Sequence, residues 1–341
     1  MGVDHQRIAL FNVTDIVDSN PGCQATVKGL RKAISREFIY QLPLGYGYHY
    51  FEGSKVIDRI LKPSFSKVHA RVSSDKNYRW LLKFVDIIVI NAEGTIHSDS
   101  VGARTLLSFA RLAKEMRKKV YIVNGSYYNL SAELIEILKT CDALYVREKA
   151  SMNYLETNGV NALLVPDCAF LNDFQQAEKE KKTLYTPGVL FNYGKEKQGK
   201  DLNQILKSHF SIISEKGQTP SFLQIEPKEQ KLAEFWKGLG GNVINSAELS
   251  VNELLHEISK FDTVISGRYH ILLFALMVNA KTIPLTSNSK KINGLYKTFG
   301  SLEVEPQDVF NQHISIDNTV ELQLDLNQIQ ETIKASYAKL F

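Results

Sequence analysis

Residues 261–278 constrain the fold more than any other part of the chain. They begin with a short β-branched run, residues 263–265, which predicts a buried parallel strand. Ser266-Gly267 interrupts the run, and the apolar residues that follow continue too long for a strand, so a buried helix is predicted up to Val278. Residues 282–285 are the next predicted strand. The order strand, tight turn, helix, strand is half of a doubly wound α/β fold.

Arg268 and His270 fall in the turn or in the first turn of that helix. The free N–H groups and the positive end of the helix dipole favour an anion there, so a cation at that position is explained if a phosphate or carboxylate binds it. His270 would then donate a proton to the anion or to a reacting group. An equally simple interpretation is that Arg268 pairs with a neighbouring acid and that His270 is a core histidine.

The composition is that of a globular protein with room for two domains: 341 residues, 44% hydrophobic and 23% charged. The net charge is +4 and no long basic run is interleaved with aromatics, so nucleic acid is not an expected partner. A basic cleft for a small anionic substrate accounts for the excess equally well.

The three cysteines, Cys23, Cys141 and Cys168, are far apart and form no C-x-x-C pair. A disulfide framework and a zinc site are therefore not expected, and a reducing cytoplasm is the simplest setting. No segment is long and apolar enough for a membrane span, and the N-terminal apolar run is too short for a signal sequence.

A polar and charged segment, residues 175–186, leads into Pro187-Gly188, after which the β pattern restarts. The predicted domains are therefore residues 1–178 and 179–341, each Rossmann-like. Residues 326–340 predict an amphipathic C-terminal helix that packs near the domain boundary.

Asn20 and Gly22 lie in a polar loop predicted between the first strand and a helix that contains Val27. Such loops bind ligands in doubly wound folds, and these residues are candidate contacts on the acceptor side. The loop is not G-x-G-x-x-G, so no dinucleotide is inferred. An ordinary Asn-Pro-Gly turn explains the stretch equally well.

Glu93 and His97 follow the clearest strand of the first half, residues 85–91, and so lie at the ligand-binding edge of the predicted sheet. Glu93 is a candidate general base, with helix capping or a structural role as the alternative.

Arg147 ends another short strand and is a second candidate anion clamp. Glu148 or Asp167 would neutralise it in the alternative interpretation.

Short hydroxyl side chains and lysines follow the strand that ends at Leu285. Ser287 and Lys290 are candidate phosphate contacts, whereas a solvated loop is the alternative.

Several of these pieces together resemble the polysaccharide pyruvyl transferase family. They occur in the family's order from about residue 8 to residue 300, at residues 20–26, 91–97, 145–151, 165–170, 265–270 and 290–295. The loop at Asn20 carries Cys-Gln where many members have acidic residues.

The resemblance implies two Rossmann-like domains that face a central cleft, as in metal-independent GT-B glycosyltransferases. It implies phosphoenolpyruvate as the donor substrate, with no cofactor and no metal, and a sugar of a surface polysaccharide or glycolipid precursor as the acceptor. Arg268 and His270 match the family's Arg-x-His motif, and Arg147 matches a second arginine expected to face it. The resemblance implies a cytoplasmic enzyme that can be peripheral at the membrane through a lipid-linked substrate, without an anchor, and it is compatible with a homo-oligomer.

Pyruvate ketal formation needs an acid, cations for the donor's anionic groups and a base for a sugar hydroxyl. His270 is the expected acid, and Glu93 or Asp167 the expected base. The alternatives are a GT-B glycosyltransferase that uses a nucleotide sugar, with Thr286 and Ser287 at the diphosphate, and a non-catalytic glycan-binding relative.

Overall fold

Two parallel β-sheets organise the part of the chain that the structure describes. The structure is a computed structural model, and it describes residues 6–13, 20–34, 38–42, 63–188, 201–287 and 291–341. Within these residues the chain divides into two compact units, one from Met1–Asp18, Thr26–Ala169 and Glu331–Phe341, the other from Ser19–Ala25 and Phe170–Gln330. The predicted fold class, α/β with two parallel sheets, is confirmed.

The first sheet has the strand order β2-β1-β3-β4-β5-β6, with every neighbouring pair parallel. Its strands are β1 (Ile8–Phe11), β2 (Phe38–Leu42), β3 (Ile87–Asn91), β4 (Lys119–Gly125), β5 (Ala143–Val146) and β6 (Leu163–Leu164). The helices along this part of the chain are α1 (Pro21–Ile34), α2 (Phe65–Ser74), α3 (Lys76–Phe84), α4 (Val101–Glu115), α5 (Ala132–Lys139) and α6 (Lys149–Thr157).

The second sheet has the order β11-β10-β7-β8-β9 and is also parallel. Its strands are β7 (Glu180–Thr186), β8 (Thr219–Gln224), β9 (Asn242–Asn245), β10 (Phe261–Ser266) and β11 (Lys281–Pro284). The helices are α7 (Leu202–Glu215), α8 (Gln230–Gly238), α9 (Val251–Ser259), α10 (Tyr269–Met277), α11 (Lys291–Phe299) and α12 (Leu326–Ala338).

Burial on both faces explains why the central strands are continuously apolar. All residues of β3 are buried, as parallel strands covered by helices require. In α10, every residue except His270 is buried, as its apolar composition predicts. Ser250 and Glu253 form the predicted capping box at the start of α9, because the Ser250 Oγ accepts from the Glu253 N–H and the Glu253 carboxylate accepts from the Ser250 N–H.

Each sheet contains one point at which the strand order reverses direction. In the first sheet it lies between β1 and β3, and in the second between β7 and β10. Ligands of doubly wound folds bind outside the carboxyl ends of the strands at such points. The topology therefore directs attention to the residues that follow these four strands.

The C-terminal helix is part of the first unit from Glu331 onward. Tyr337 is buried, and its ring meets that of Tyr145 edge-on with centroids 5.3 Å apart. The Tyr145 hydroxyl donates to the backbone carbonyl of Ser336 at 2.7 Å. These contacts hold the end of the chain against β5.

Candidate active site

Arg268 follows β10, next to the point where the strand order of the second sheet reverses. It therefore lies at the edge formed by the carboxyl ends of those strands. Gly267 donates its N–H to the Thr186 carbonyl at 3.2 Å, and a Cβ on Gly267 would lie 2.6 Å from the Pro187 carbonyl oxygen. Only glycine permits this approach of the two strand ends. Arg268 is the residue that caps α10, and its N–H donates to the Ser266 Oγ at 2.9 Å.

Arg268 forms an ion cluster with two glutamates in this structure. Its Nη1 and Nη2 each donate to the Glu226 Oε1 at 3.0 Å, and Nη2 also donates to the Glu229 Oε1. The side chain is 15% exposed, and its Nε has no hydrogen-bond partner among the described residues. Of the two interpretations left open by the sequence, pairing with a neighbouring acid is the one seen in this structure.

The two glutamates are held differently. Glu229 is 1% exposed, and its Oε2 accepts from the N–H groups of Ile225, at 2.6 Å, and Glu226, at 3.2 Å. Glu226 is 30% exposed, and its second oxygen pairs with the exposed Lys228 at 2.5 Å. Glu229 is therefore fixed by the backbone, whereas Glu226 has an alternative cation at the surface.

The charge state of Glu226 follows from these contacts. Burial would raise the pKa of its carboxyl, but the hydrogen bond from Lys228 and the charge of Arg268 outweigh burial, so the pKa lies below its ordinary value. Glu226 is consequently ionised at neutral pH and acts as the counter-ion of Arg268.

His270 lies in the first turn of α10 and contacts the beginning of α1. A Cβ on Gly22 would lie 2.2 Å from the His270 Nδ1, so glycine at this position leaves the space that the imidazole fills. Asn20 caps α1: its side chain accepts from the Gly22 N–H at 3.0 Å and its carbonyl from the Gln24 N–H at 3.1 Å.

The predicted loop before α1 is shorter than the sequence suggested. The helix begins at Pro21, not near Val27, because Asn at the cap and Pro at the first helical position are both favourable there. Asn20 and Gly22 therefore belong to the helix start and, with His270, to the second unit.

Two further predicted donor residues follow β11. Ser287 lies two residues beyond Leu285, whose N–H donates to the Ser266 carbonyl at 2.8 Å, so it shares the carboxyl edge with Arg268. Thr286 accepts from the Val309 N–H through its hydroxyl at 3.2 Å. Lys290 lies outside the described residues.

The reversal point of the first sheet carries a buried amide and carboxylate network. Asn91, at the end of β3, donates through Nδ2 to the Glu93 Oε1 at 2.7 Å, and Asn12 donates to the Asn91 carbonyl at 2.6 Å. Asn12 and Glu93 both have positive φ, 61° and 44°. Such backbone is uncommon for glutamate and clusters at functional sites.

Arg147 and Asp167 form a buried ion pair in the first unit. The Arg147 Nη1 and the Asp167 Oδ2 are 2.9 Å apart, and the two side chains are 2% and 0% exposed. Arg147 Nε also donates to the Ser126 Oγ at 2.8 Å, while Asp167 accepts from the Thr26 hydroxyl at 3.3 Å and the Ala169 N–H at 2.9 Å. Asp167 is thus a carboxylate that neutralises Arg147.

The loop after β3 brings Glu93 and Arg147 to the same edge. A Cβ on Gly94 would lie 3.7 Å from the Arg147 Nη2, and the Ser126 N–H donates to the Glu93 carbonyl at 2.9 Å. His97 lies further along this loop, where its ring stacks on Tyr128 with centroids 4.8 Å apart and an interplanar angle of 9°.

Asn12, Glu226 and Glu229 are the residues of these clusters that sequence reasoning missed. A signal existed for each, because Asn12 directly follows β1, and Glu226 comes two residues after β8 with Glu229 three positions later. Within the described residues, no group of three or more His, Cys, Asp or Glu side chains is arranged to hold a metal ion.

One family model matches most of the chain. A model described as polysaccharide pyruvyl transferase matches residues 20–289. The chain belongs to the polysaccharide pyruvyl transferase family. The matched range contains every predicted site residue except Lys290. No curated protein sequence matches the chain.

Solved structures show the shared fold. The chain is similar to the UDP-GlcNAc 2-epimerase of Methanocaldococcus jannaschii, with 14% identity, a TM-score of 0.52, and 90% of this chain and 89% of that chain covered. It is also similar to the epimerase of Rickettsia bellii, with 10% identity, a TM-score of 0.56, and 98% and 96% covered. The Neisseria meningitidis epimerase bound to UDP-GlcNAc has 12% identity, a TM-score of 0.54, and 98% and 90% covered. At these identities the likeness concerns the GT-B-like α/β fold alone.

Removing one partner of the buried Arg147–Asp167 ion pair tests how much the pair contributes to the free energy of unfolding. Asp167→Asn leaves Arg147 buried without its counter-ion, so we expect the free energy of unfolding to fall by about 3 kcal/mol, as measured by urea denaturation. Asp86→Asn is the matched control, because Asp86 pairs with Arg7 at the surface, with side chains 39% and 47% exposed. Equal losses of unfolding free energy in Asp167→Asn and Asp86→Asn would contradict the conclusion that the buried Arg147–Asp167 pair matters more for stability than the surface pair.

Proposed function

We propose that this protein transfers the enolpyruvyl group of phosphoenolpyruvate to a sugar of a surface polysaccharide or glycolipid precursor, forming a pyruvate ketal. The observation that carries the proposal is the presence of both Arg268 and His270, two residues apart, at the start of α10 in a chain that belongs to the pyruvyl transferase family. The helix N-terminus and the guanidinium both favour an anion at this point.

The donor side is assigned to the second unit. Arg268, Ser287 and Lys290 are proposed to hold the phosphate and carboxylate of phosphoenolpyruvate. Glu229 supports this role, because its contacts with Arg268 and with two backbone N–H groups fix the direction of the guanidinium. Glu226 pairs with the Arg268 guanidinium and has Lys228 as a second partner, so it is proposed to give way to a donor anion.

The reaction needs one protonation and two additions. A proton on the terminal enol carbon leaves an electrophilic central carbon, to which one sugar hydroxyl adds. The phosphate then leaves with its bridging oxygen, and a second hydroxyl of the sugar adds to the same carbon. The hydroxyls lose two protons in total, one replacing the proton given to the enol carbon and one leaving with phosphate.

His270 is proposed as the acid. A donor anion bound at Arg268 would favour the protonated imidazole. The contact with the glycine at position 22 limits how far the ring can turn, and the first turn of α10 keeps it two residues from Arg268.

The acceptor side is assigned to the first unit. Glu93 and Asp167 are the candidate bases, and their contacts favour Glu93. Asp167 is 0% exposed and accepts from Arg147, Thr26 and the Ala169 N–H, which suits a role in positioning Arg147. His97 remains a proposed loop contact on this side, whereas Asn20 and Gly22, which belong to the second unit beside His270, remain proposed loop contacts there.

The cellular setting is proposed from the same chemistry. Phosphoenolpyruvate is a cytoplasmic metabolite, so the protein is proposed to work in the cytoplasm on a sugar that is free or lipid-linked. No helix among the described residues is long and apolar enough to cross a membrane. The pyruvyl transfer requires no cofactor in this scheme, and a homo-oligomer is compatible with it.

A nucleotide-sugar transferase is the second candidate. It is favoured by the fold shared with epimerases, one of which has UDP-GlcNAc bound. Thr286 and Ser287 would then contact the diphosphate.

Calorimetric titration separates the two candidates. We expect phosphoenolpyruvate to bind the wild-type protein, and Arg268→Ala to lose this binding because the bidentate cation is gone. UDP-GlcNAc is titrated in parallel as the competing donor. Binding of UDP-GlcNAc without phosphoenolpyruvate would overturn the proposal in favour of the nucleotide-sugar transferase.

His270→Asn tests the proton donor. We expect phosphoenolpyruvate to bind within a few-fold of wild type, whereas phosphate release in the presence of an acceptor sugar falls by roughly 10²- to 10⁴-fold, the usual contribution of a general acid. Wild-type turnover in this variant would refute the role of His270.

Glu226 and Glu229 are expected to affect donor affinity in opposite directions. Glu226→Gln removes an ionised competitor for Arg268, so phosphoenolpyruvate should bind several-fold more tightly, by about 3- to 10-fold. Glu229→Gln loosens the guanidinium and should weaken binding by about tenfold. Both are measured by calorimetry, with thermal unfolding as the control for folding. Weaker binding in both variants would show that Glu226 assists the site instead of competing for it.

A further inference from the structure

The outer face of α3 combines exposed aromatic side chains with exposed cationic ones. Lys76, Arg79, Trp80, Lys83 and Phe84 are all exposed, whereas Tyr78, Leu81 and Leu82 are buried. At about 100° per residue, the five exposed side chains fall within an arc of about 140°. We call these five residues the α3 outer face.

An aromatic pair stands on this face. Trp80 is 53% exposed and Phe84 is 41% exposed, and their ring centroids are 4.5 Å apart. They are two of the four large hydrophobic side chains exposed in the described part of the chain, and the other two, Leu163 and Leu302, lie in different elements. Two adjacent exposed aromatics on one helix form an apolar patch that a partner can cover.

The second feature of this face is a group of cations beside the aromatic pair. Lys76, Arg79 and Lys83, together with Lys67 on α2, form no ion pair with any described residue. Helices α2 and α3 and the residue between them contain five Lys or Arg and a single acid, Asp75. That aspartate is engaged as the cap of α3, because it accepts from the N–H groups of Asn77 and Tyr78.

We propose that the α3 outer face docks on an anionic phospholipid bilayer. Trp and Phe side chains favour the boundary between headgroups and acyl chains, and lysine and arginine beside them pair with lipid phosphates. Helix α3 has nine residues and is far too short to cross the bilayer, so it lies in the interface. The inference does not depend on the proposed function.

Charge complementarity selects the bilayer over a second copy of this chain. A two-fold pairing of the α3 outer face would bring its unpaired cations against the same cations of the other copy, and like charges in contact are unfavourable. An anionic lipid surface satisfies the cations and the aromatic pair at the same time.

Tryptophan fluorescence reports the docking directly. The chain has two tryptophans, and Trp236 is 0% exposed, so a change in the polarity around an exposed indole comes from Trp80. We expect vesicles of phosphatidylcholine with about 30% phosphatidylglycerol to shift the emission of the full chain to the blue and to carry it upward in flotation. Trp80→Phe should keep flotation and lose the shift.

Charge removal gives the quantitative test. Replacing Lys76, Arg79 and Lys83 by Gln should lower the partition coefficient about 100-fold, and salt should weaken wild-type binding. The matched control replaces three exposed lysines of the second unit by Gln, Lys207, Lys231 and Lys237. It removes the same charge and should leave partitioning within about threefold of wild type.

Phe84→Ala tests the apolar part, with Leu163→Ala as its control, since Leu163 is an exposed hydrophobic residue on another element. We expect weaker flotation for the first variant and no change for the second.

Absence of flotation with anionic vesicles, equal binding to pure phosphatidylcholine, or equal losses in the control variants would overturn the proposal. A blue shift that appears on concentrating the protein without vesicles would identify a second copy as the occupant and overturn it as well.

Discussion

The ion cluster of Arg268 with Glu226 and Glu229 is the interaction on which the proposed donor site depends. A guanidinium at a helix N-terminus is electrostatically unfavourable without an anion, and Glu226 and Glu229 supply two carboxylates to Arg268. The buried Glu229 contacts the guanidinium and two backbone N–H groups, whereas the partly exposed Glu226 contacts both Arg268 and Lys228. Under the proposed function, such an arrangement would keep the cation oriented before the donor arrives, which lowers the cost of ordering it on binding.

Parallel sheet topology determines where this chemistry can take place. The reversal of strand order places Arg268 beyond β10 in the second unit, and Asn12, Asn91 and Glu93 beyond β1 and β3 in the first. Residues far apart in sequence therefore meet at one edge within each sheet. The positive φ of Asn12 and Glu93 marks the first of these edges as a place where the backbone departs from regular geometry.

Short stretches of sequence were sufficient to predict many of the secondary-structure elements and where their polar ends lie. The strand, turn and buried helix around Arg268, the capping box at Ser250 and the polar ends of the strands all follow from short-range rules. The partners of Arg268 did not follow, because Glu226 is 42 residues away, and for Arg147 the sequence left Glu148 and Asp167 as alternatives, because spacing along the chain does not specify which acid reaches which cation. The sequence pattern predicts a start of α1 that is too late, because the residues from Asn20 onward also fit a polar loop, whereas in the structure Asn20 caps the helix.

The proposed function requires that Arg268 exchange an internal carboxylate for the donor. A crystal structure of the protein with phosphoenolpyruvate bound tests this exchange most directly. We expect a phosphate or carboxylate oxygen of the donor within hydrogen-bond distance of the Arg268 guanidinium, Glu226 turned toward Lys228, and Glu229 unmoved. A complex in which phosphoenolpyruvate binds elsewhere while Arg268 keeps both glutamates would contradict it.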